Sequence, residues 1–205
     1  TGADLVYEWF VNDGSTETSI TNAGVYSGQG TPNLRISGAD RSYHLYRYYV
    51  RITGSCDPYI QSNIAFLYVE NPPEIQTQPE DDVICEFNTA SFTVNATGAA
   101  LEYQWYESTD GITFDALSDA GFYIGTGLKT LNIFNVDRSY DSYQYRVVVS
   151  GACNPEEQSV DVDLTVKTPP LITAQPEGLT VCHGEQADIA VVAEGSELVY
   201  QWKVN

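Results

Sequence analysis

The sequence has no methionine, two histidines, four cysteines, and nine lysines and arginines against 28 aspartates and glutamates. Each scarcity removes a class of function. A net charge of −19 leaves no basic stripe for nucleic acid, which proteins bind by neutralising phosphates. The same charge repels an anionic membrane surface. No apolar run approaches the roughly 18–20 residues a membrane helix needs, so no membrane insertion is expected in this segment. Two histidines offer little material for a Ser-His-Asp or Cys-His arrangement. His44 and His183 have no counterparts elsewhere in the chain, and both read as solvated loop residues. The chain is therefore expected not to be an enzyme. Few lysines and four cysteines fit a secreted or surface protein better than a cytosolic one. What the chain does have is 42% hydrophobic residues and 15 tyrosines. That composition buries a core and excludes a disordered acidic tail.

The chain repeats itself. Asp40-Arg41-Ser42-Tyr43 recurs unchanged as Asp137-Arg138-Ser139-Tyr140, an offset of 97 residues. Cys56 maps to Cys153 and Cys85 to Cys182 at the same offset. Pro72-Pro73 returns as Pro169-Pro170, and Gln78-Pro79-Glu80 as Gln175-Pro176-Glu177. Tyr7-Glu8-Trp9, Tyr103-Gln104-Trp105 and Tyr200-Gln201-Trp202 form a third series. A fixed period of this length is the mark of a tandem array of one folding unit. The expected boundaries are 1–69 for a repeat lacking its N-terminal strands, 70–167 for a complete repeat, and 168–205 for the N-terminal strands of a third. The expectation is thus a piece of a longer array.

Each repeat reads as all-β. Ala90, Phe92, Val94 and Ala96 alternate with Ser91, Thr93 and Asn95. Leu131 and Ile133, then Tyr143, Tyr145, Val147 and Val149, then Val160, Val162, Leu164 and Val166 continue the pattern. Period-two alternation gives each strand one buried and one wet face. Short strands parted by Gly, Asp, Asn and Ser turns predict a sandwich or barrel. Asp13-Gly14 and Asp110-Gly111 are hairpin signals.

These runs resemble the immunoglobulin fold. Ala90–Gly98 followed by Tyr103-Gln104-Trp105 is similar to its strands B and C. Leu131-Asn132-Ile133 and Asp141–Val147 are similar to its strands E and F. The resemblance implies tandem immunoglobulin-like β-sandwiches. It puts Trp9, Trp105 and Trp202 at the core tryptophan position, and Tyr48 and Tyr145 at the corner tyrosine. One departure stands out. Where antibody-type domains carry two cysteines, this sequence has Val94 and Val147. Cys85 lies before strand B and Cys153 after strand F. The expectation is a Cys85–Cys153 bond across the end of the sandwich, with Cys56 and Cys182 pairing outside the fragment. The relocated cysteines, the Tyr-x-Trp strand and the Pro-Pro opening are similar to the immunoglobulin-like repeats of large Bacteroidota surface adhesins. Those include adhesins exported by the type IX system, among them the gliding-motility kind. That resemblance implies an extracellular, cell-surface array.

Other chemistry finds thin support. Gly28-Gln29-Gly30 and Gly125-Thr126-Gly127 lack the strand-to-helix context of a phosphate loop and read as turns. No cofactor is expected. Glu80-Asp81-Asp82 is the strongest candidate for a junction Ca²⁺, but it lacks the density of oxygens such a site needs and reads as a solvated acidic loop. Lys129 and Lys167 are not repeated, which argues against isopeptide cross-linking. Asn95-Ala96-Thr97 is a sequon by chance.

The copies differ on one face. The outward positions of the first copy carry Glu8, Phe10, Arg47, Tyr49, Arg51, Ile64 and Phe66, with Tyr68 next along, where the second has Gln104, Tyr106, Gln144, Arg146, Val148, Asp161 and Asp163. Aromatics with arginine are what interface cores favour. The candidate partners are neighbouring repeats of the same chain and a surface glycan or protein. Three functions compete: a structural and adhesive filament, a recognition module, and an accessory region of a secreted hydrolase.

Overall fold

The computed structural model describes residues 4–56 and 58–204. The chain forms two compact units, Thr1–Asn71 and Pro72–Asn205. Both are all-β. Helix among the described residues is confined to two single 3-10 turns, Arg41–Tyr43 and Arg138–Tyr140.

The first unit carries β1 (Val6–Asn12), β2 (Glu17–Ser19), β3 (Tyr26–Ser27), β4 (Arg35–Ile36), β5 (Arg47–Thr53), β6 (Ile60–Gln61) and β7 (Ala65–Phe66). β1 lies between β2 and β5, and β5 also pairs with β6 and β7, all antiparallel. β3 pairs with β4. Val11, Ile20 and Tyr48 form a small core against Trp9, Tyr26, Leu34, Ile36, Tyr46 and Leu67.

The second unit contains a complete sandwich. Its strands are β8 (Glu74–Thr77), β9 (Asp82–Cys85), β10 (Ala90–Thr93), β11 (Asn95–Thr97), β12 (Glu102–Ser108), β13 (Asp115–Ala116), β14 (Tyr123–Ile124), β15 (Thr130–Ile133), β16 (Gln144–Ser150), β17 (Glu157–Gln158) and β18 (Val162–Lys167). One sheet runs β13-β12-β16-β18-β9, with β17 also on β16. Facing it are β10-β15-β14 and the pair β11-β8. All contacts are antiparallel except β9 with β18, which is parallel. This is the immunoglobulin-like sandwich. Alternation does what period two demands: Ala90, Phe92, Val94, Leu131, Ile133, Val147, Val149, Leu164 and Val166 are buried around Trp105 and Tyr145. Val160 breaks the pattern and is exposed, because β18 begins two residues later. After β18 the chain continues into β19 (Leu171–Ala174) and β20 (Val192–Glu194). Ile172 pairs with Ala193 there as Ile75 pairs with Ala96 in the complete sandwich.

The repeated Asp-Arg-Ser-Tyr motif has a physical job. Asp137 caps its 3-10 turn, accepting from the Ser139 amide at 2.8 Å and the Ser139 hydroxyl at 2.5 Å. Arg138 then reaches the Val166 carbonyl at 2.7 Å, fastening β18. Tyr140 packs between Tyr123 and Tyr143. Asp40, Arg41 and Tyr43 repeat each contact in the first unit, with Arg41 on the Val69 carbonyl.

Three expectations need correction. The first is the Cys85–Cys153 bond. β16 climbs from Gln144, opposite Asp163, to Ser150, and Cys153 follows in the turn above. β18 descends from Asp163 to Lys167, which is the register partner of Cys85. At ~3.3 Å per residue the two cysteines stand roughly 30 Å apart, against about 4.4–6.8 Å between the Cα atoms of a cystine. They occupy opposite ends of one sandwich. The second concerns the tryptophans. Trp105 is fully buried, but Trp9 is half-buried and Trp202 is 57% exposed. Neither flanking copy has a complete facing sheet to close over its indole. The third concerns the corner tyrosine. Tyr145 is buried and stacks on Phe92 at 5.0 Å. Its hydroxyl makes no hydrogen bond to the backbone, so no corner is closed.

Candidate functional site

The outward face of the first unit is built on β1, β5 and β7. Register sets Phe10 opposite Tyr49, Glu8 opposite Arg51, and Arg47 opposite Phe66. Alternation turns these side chains away from the core of Val11 and Tyr48.

Within that face the residues divide into two groups. Phe10 and Tyr49 are buried, at 9% and 4% exposure, although the sequence pattern marks them as solvent-facing. Their rings stack at 5.1 Å and 8°. Arg51 is the reason they are covered. Its guanidinium lies 4.3 Å from the Phe10 centroid, 5.4 Å from Tyr49 and 5.3 Å from Tyr59. It also donates to Gln61 Oε1 and to the Tyr49 hydroxyl, both at 3.1 Å, and pairs with Glu17 at 3.7 Å. Burial pushes the Tyr49 phenol above its ordinary pKa, and Glu17 beside it adds to the rise. Phe10, Tyr49 and Arg51 thus form a small outer cluster that stiffens the sheet.

The second group is open. Ile64, Phe66 and Tyr68 are 53%, 48% and 66% exposed. Arg47 lies over the Phe66 ring at 5.6 Å, and the Phe66 and Tyr68 rings are 6.4 Å apart. This exposure belongs to the fold. The matching positions of the complete sandwich, Asp161, Asp163 and Thr165, are exposed although β9 is in place beside them. There the acids are spent locally, Asp161 on Arg146 at 3.8 Å and Asp163 on Gln144 at 2.8 Å. Arg146 also sits over Phe114 at 3.7 Å. The first copy replaces this self-satisfied polar strip with an aliphatic and aromatic one.

His44 is not a solvated loop residue. Its Nδ1 lies 2.9 Å from the Val69 carbonyl oxygen and 3.2 Å from the Val69 amide, at the repeat position where the Asp141 carboxylate accepts from the Val166 amide at 2.8 Å. The histidine anchors the chain after β7. Sequence offers a signal for this, since His44 and Asp141 occupy one position of the repeat. His183 is exposed.

The acidic residues serve turns. Asp110 accepts from the Ile112 and Thr113 amides, both at 2.8 Å, and from two hydroxyls. Those bonds hold its carboxyl well below the usual aspartate value. Asp119 is lowered by the Thr126 amide and hydroxyl. In the Glu80-Asp81-Asp82 run, Asp82 accepts from the Ser91 amide at 3.0 Å and Asp81 from the Asp163 amide at 2.8 Å. No group of three or more potential metal ligands converges among the described residues.

A large apolar groove lies in the third copy, lined by Ile172, Val191, Ala193, Leu198, Tyr200 and Trp202. These match Ile75, Val94, Ala96, Leu101, Tyr103 and Trp105 of the complete sandwich, all core or core-lining residues. The groove is the inner face of an unclosed sandwich and not a ligand pocket.

No family model matches the chain, and neither does any curated protein. Solved structures do match. A three-domain immunoglobulin fragment of titin, a Glu-to-Ala variant, superposes with a TM-score of 0.66 at 16% identity over 93% of this chain. An I-band fragment of titin superposes with a TM-score of 0.67 at 15% identity, again over 93%. This chain spans 65% of the length of each. At such identity the likeness is one of fold alone.

Proposed function

We propose that the chain is a non-enzymatic structural and adhesive segment of a long extracellular filament or stalk on a cell surface. The observation that carries this reading is the joint between consecutive sandwiches in the second unit. There the Thr168 amide bonds to Ser196 Oγ at 2.9 Å, the Ser196 amide to the Thr168 carbonyl at 3.0 Å, and Lys167 Nζ to Glu197 at 2.7 Å. Pro169 and Pro170 follow directly, and proline keeps a link extended and semi-rigid. Such a joint carries load from one sandwich to the next. The charge of −19 keeps neighbouring filaments soluble and apart. The motif similarity to Bacteroidota surface adhesins of the type IX, gliding-motility kind supports a cell-attached array. Negative-stain imaging of the native assembly tests the proposal. A beaded rod is expected. A compact particle dominated by a catalytic domain would favour an accessory region of a secreted hydrolase.

One observation favours a second reading, recognition of a glycan or protein. It is the Arg47, Ile64, Phe66 and Tyr68 strip, which the second copy lacks. Phe66→Asp should leave stability within about 0.5 kcal/mol, as expected for an exposed site, while abolishing surface binding by the segment. Unchanged binding would refute a role for the strip.

A further inference from the structure

The first unit holds a pocket of about 260 Å³ where the β1–β2 hairpin leaves the core. Tyr26, Tyr43 and Tyr46 line it together with buried Val11. Asp13, Thr16 and Thr18 of the hairpin complete the lining. The Tyr43 and Tyr46 rings lie 5.2 Å apart, and those of Tyr26 and Tyr43 6.3 Å apart. Alternation along β1 turns Val11 to this pocket and Phe10 to the outer face. The pocket is therefore separate from the strip of Arg47, Ile64, Phe66 and Tyr68.

The complete sandwich has the same tyrosines with a different neighbour. Val11 is the register partner of Tyr48, and Glu107 is that of Tyr145. Glu107 thus stands at Val11's position of the repeat. Its carboxylate accepts from the Tyr123 hydroxyl at 2.5 Å, and the Tyr140 ring packs between Tyr123 and Tyr143. The second copy serves its tyrosine cluster with its own carboxylate. The first copy keeps the three tyrosines and loses that carboxylate. Its Tyr26 hydroxyl turns to the Tyr48 hydroxyl at 3.3 Å instead.

The position of the pocket in the sandwich keeps it open. Thr18 lies on β2 and Tyr26 on β3, the counterparts of β13 and β14. In the complete sandwich β15 separates β14 from β10, while β8 and β9 pair with β11 and β18. Strands equivalent to β8–β11 would therefore leave this edge of the first copy uncovered.

The lining selects a class of ligand. Phenol rings offer apolar faces, while phenols and threonines offer hydroxyls that both donate and accept. No lysine, arginine or histidine lines the pocket among the described residues. Asp13 adds a negative charge that disfavours an anion. Its carboxylate already accepts from the Ser15 and Thr16 amides, both at 2.8 Å, so it does not call for a cation. A wholly aliphatic ligand would leave the hydroxyls unserved. A pyranose presents a face of C–H groups to a ring and neutral hydroxyls around its rim. We infer that this pocket binds one neutral sugar unit of a glycan. The inference stands whether or not the outer strip binds anything.

The test is an NMR titration of the full chain that follows its aromatic ring signals. The probes are the methyl glycosides of glucose, galactose and mannose, with glucuronic acid as the anionic comparison. Saturable shifts at Tyr26, Tyr43 and Tyr46 are expected with at least one methyl glycoside. The expected Kd is on the order of 1 mM, the strength a ligand of about a dozen non-hydrogen atoms reaches at ordinary efficiency. Glucuronic acid should bind roughly tenfold more weakly. Thr18→Trp fills the pocket from an exposed position, and Val11→Glu restores the carboxylate of the second copy. Each should weaken binding by about tenfold or more. Val11 is buried, so Thr18→Trp carries the test if Val11→Glu does not fold. No saturable shift with any methyl glycoside, shifts that survive Thr18→Trp, or shifts confined to Phe66 and Tyr68 would overturn the inference. Saturation by indole and by no glycoside would make the pocket a seat for an aromatic side chain and overturn it too.

Discussion

Trp105 sits at the centre of the complete sandwich, and its replacement tests where the core lies. Trp105 is fully buried, and its Nε1 donates to the Leu128 carbonyl at 2.9 Å. Trp9 keeps the same bond, to the Thr31 carbonyl at 2.9 Å, but its indole is half-buried. Trp202 is 57% exposed. Replacement by phenylalanine keeps a ring and deletes the N–H. At Trp105 it removes a part-buried hydrogen bond to the carbonyl of exposed Leu128, costing about 1 kcal/mol. The lost part of a ring system that buries roughly 200 Å² adds about 1 kcal/mol at ~25 cal/mol per Å². The expected total for Trp105→Phe is about 2 kcal/mol. For a domain of this size that lowers Tm by roughly 8–16 °C. Urea unfolding followed by far-UV circular dichroism measures the loss. A cost near zero at Trp105 would refute the placement of the core.

Asp137→Ala should destabilise the second unit through its lost cap, and Asp40→Ala should do the same to the first, read as lowered midpoints of the matching urea transitions. Gly125→Ala should cost more than about 2 kcal/mol, since φ is +87° and the new Cβ would lie 2.2 Å from the Thr130 carbonyl oxygen. Asp110, Asp119 and Asp137 have carboxyl pKa values lowered by amide and hydroxyl donors. Their stabilisation is complete above the unfolded aspartate value of about 4 and is lost as pH falls below it. A urea midpoint that is flat from pH 7 to 5 and drops below pH 4 is expected, and Asp110→Asn should make the drop shallower.

The period and the strands were legible because both follow from local pattern. Alternation at Ala90–Ala96 and Tyr143–Val149 predicts a buried face without reference to neighbours, and the buried residues are those of that face. The Asp-Arg-Ser-Tyr motif was visible as a repeat, but its job was not. Arg138 acts on a carbonyl 28 residues away, which no local pattern encodes. The cysteine error has a similar origin. Cys85 and Cys153 flank strands B and F in sequence, but flanking says nothing about which end of a sandwich a residue occupies. That depends on strand direction, and β9 runs parallel to β18 and away from the turn that holds Cys153. Phe10 and Tyr49 are expected to face solvent but are buried, because alternation ignores how far a long side chain such as Arg51 folds across its neighbours.

The central claim is an array of independently folded 97-residue sandwiches in series. Pulling the parent chain by its ends under reducing conditions measures this directly. The account predicts a regular series of unfolding events, each releasing about 300 Å, the roughly 330 Å of an extended repeat less its folded length. Irregular steps, or a step set by some other length of chain, would contradict it.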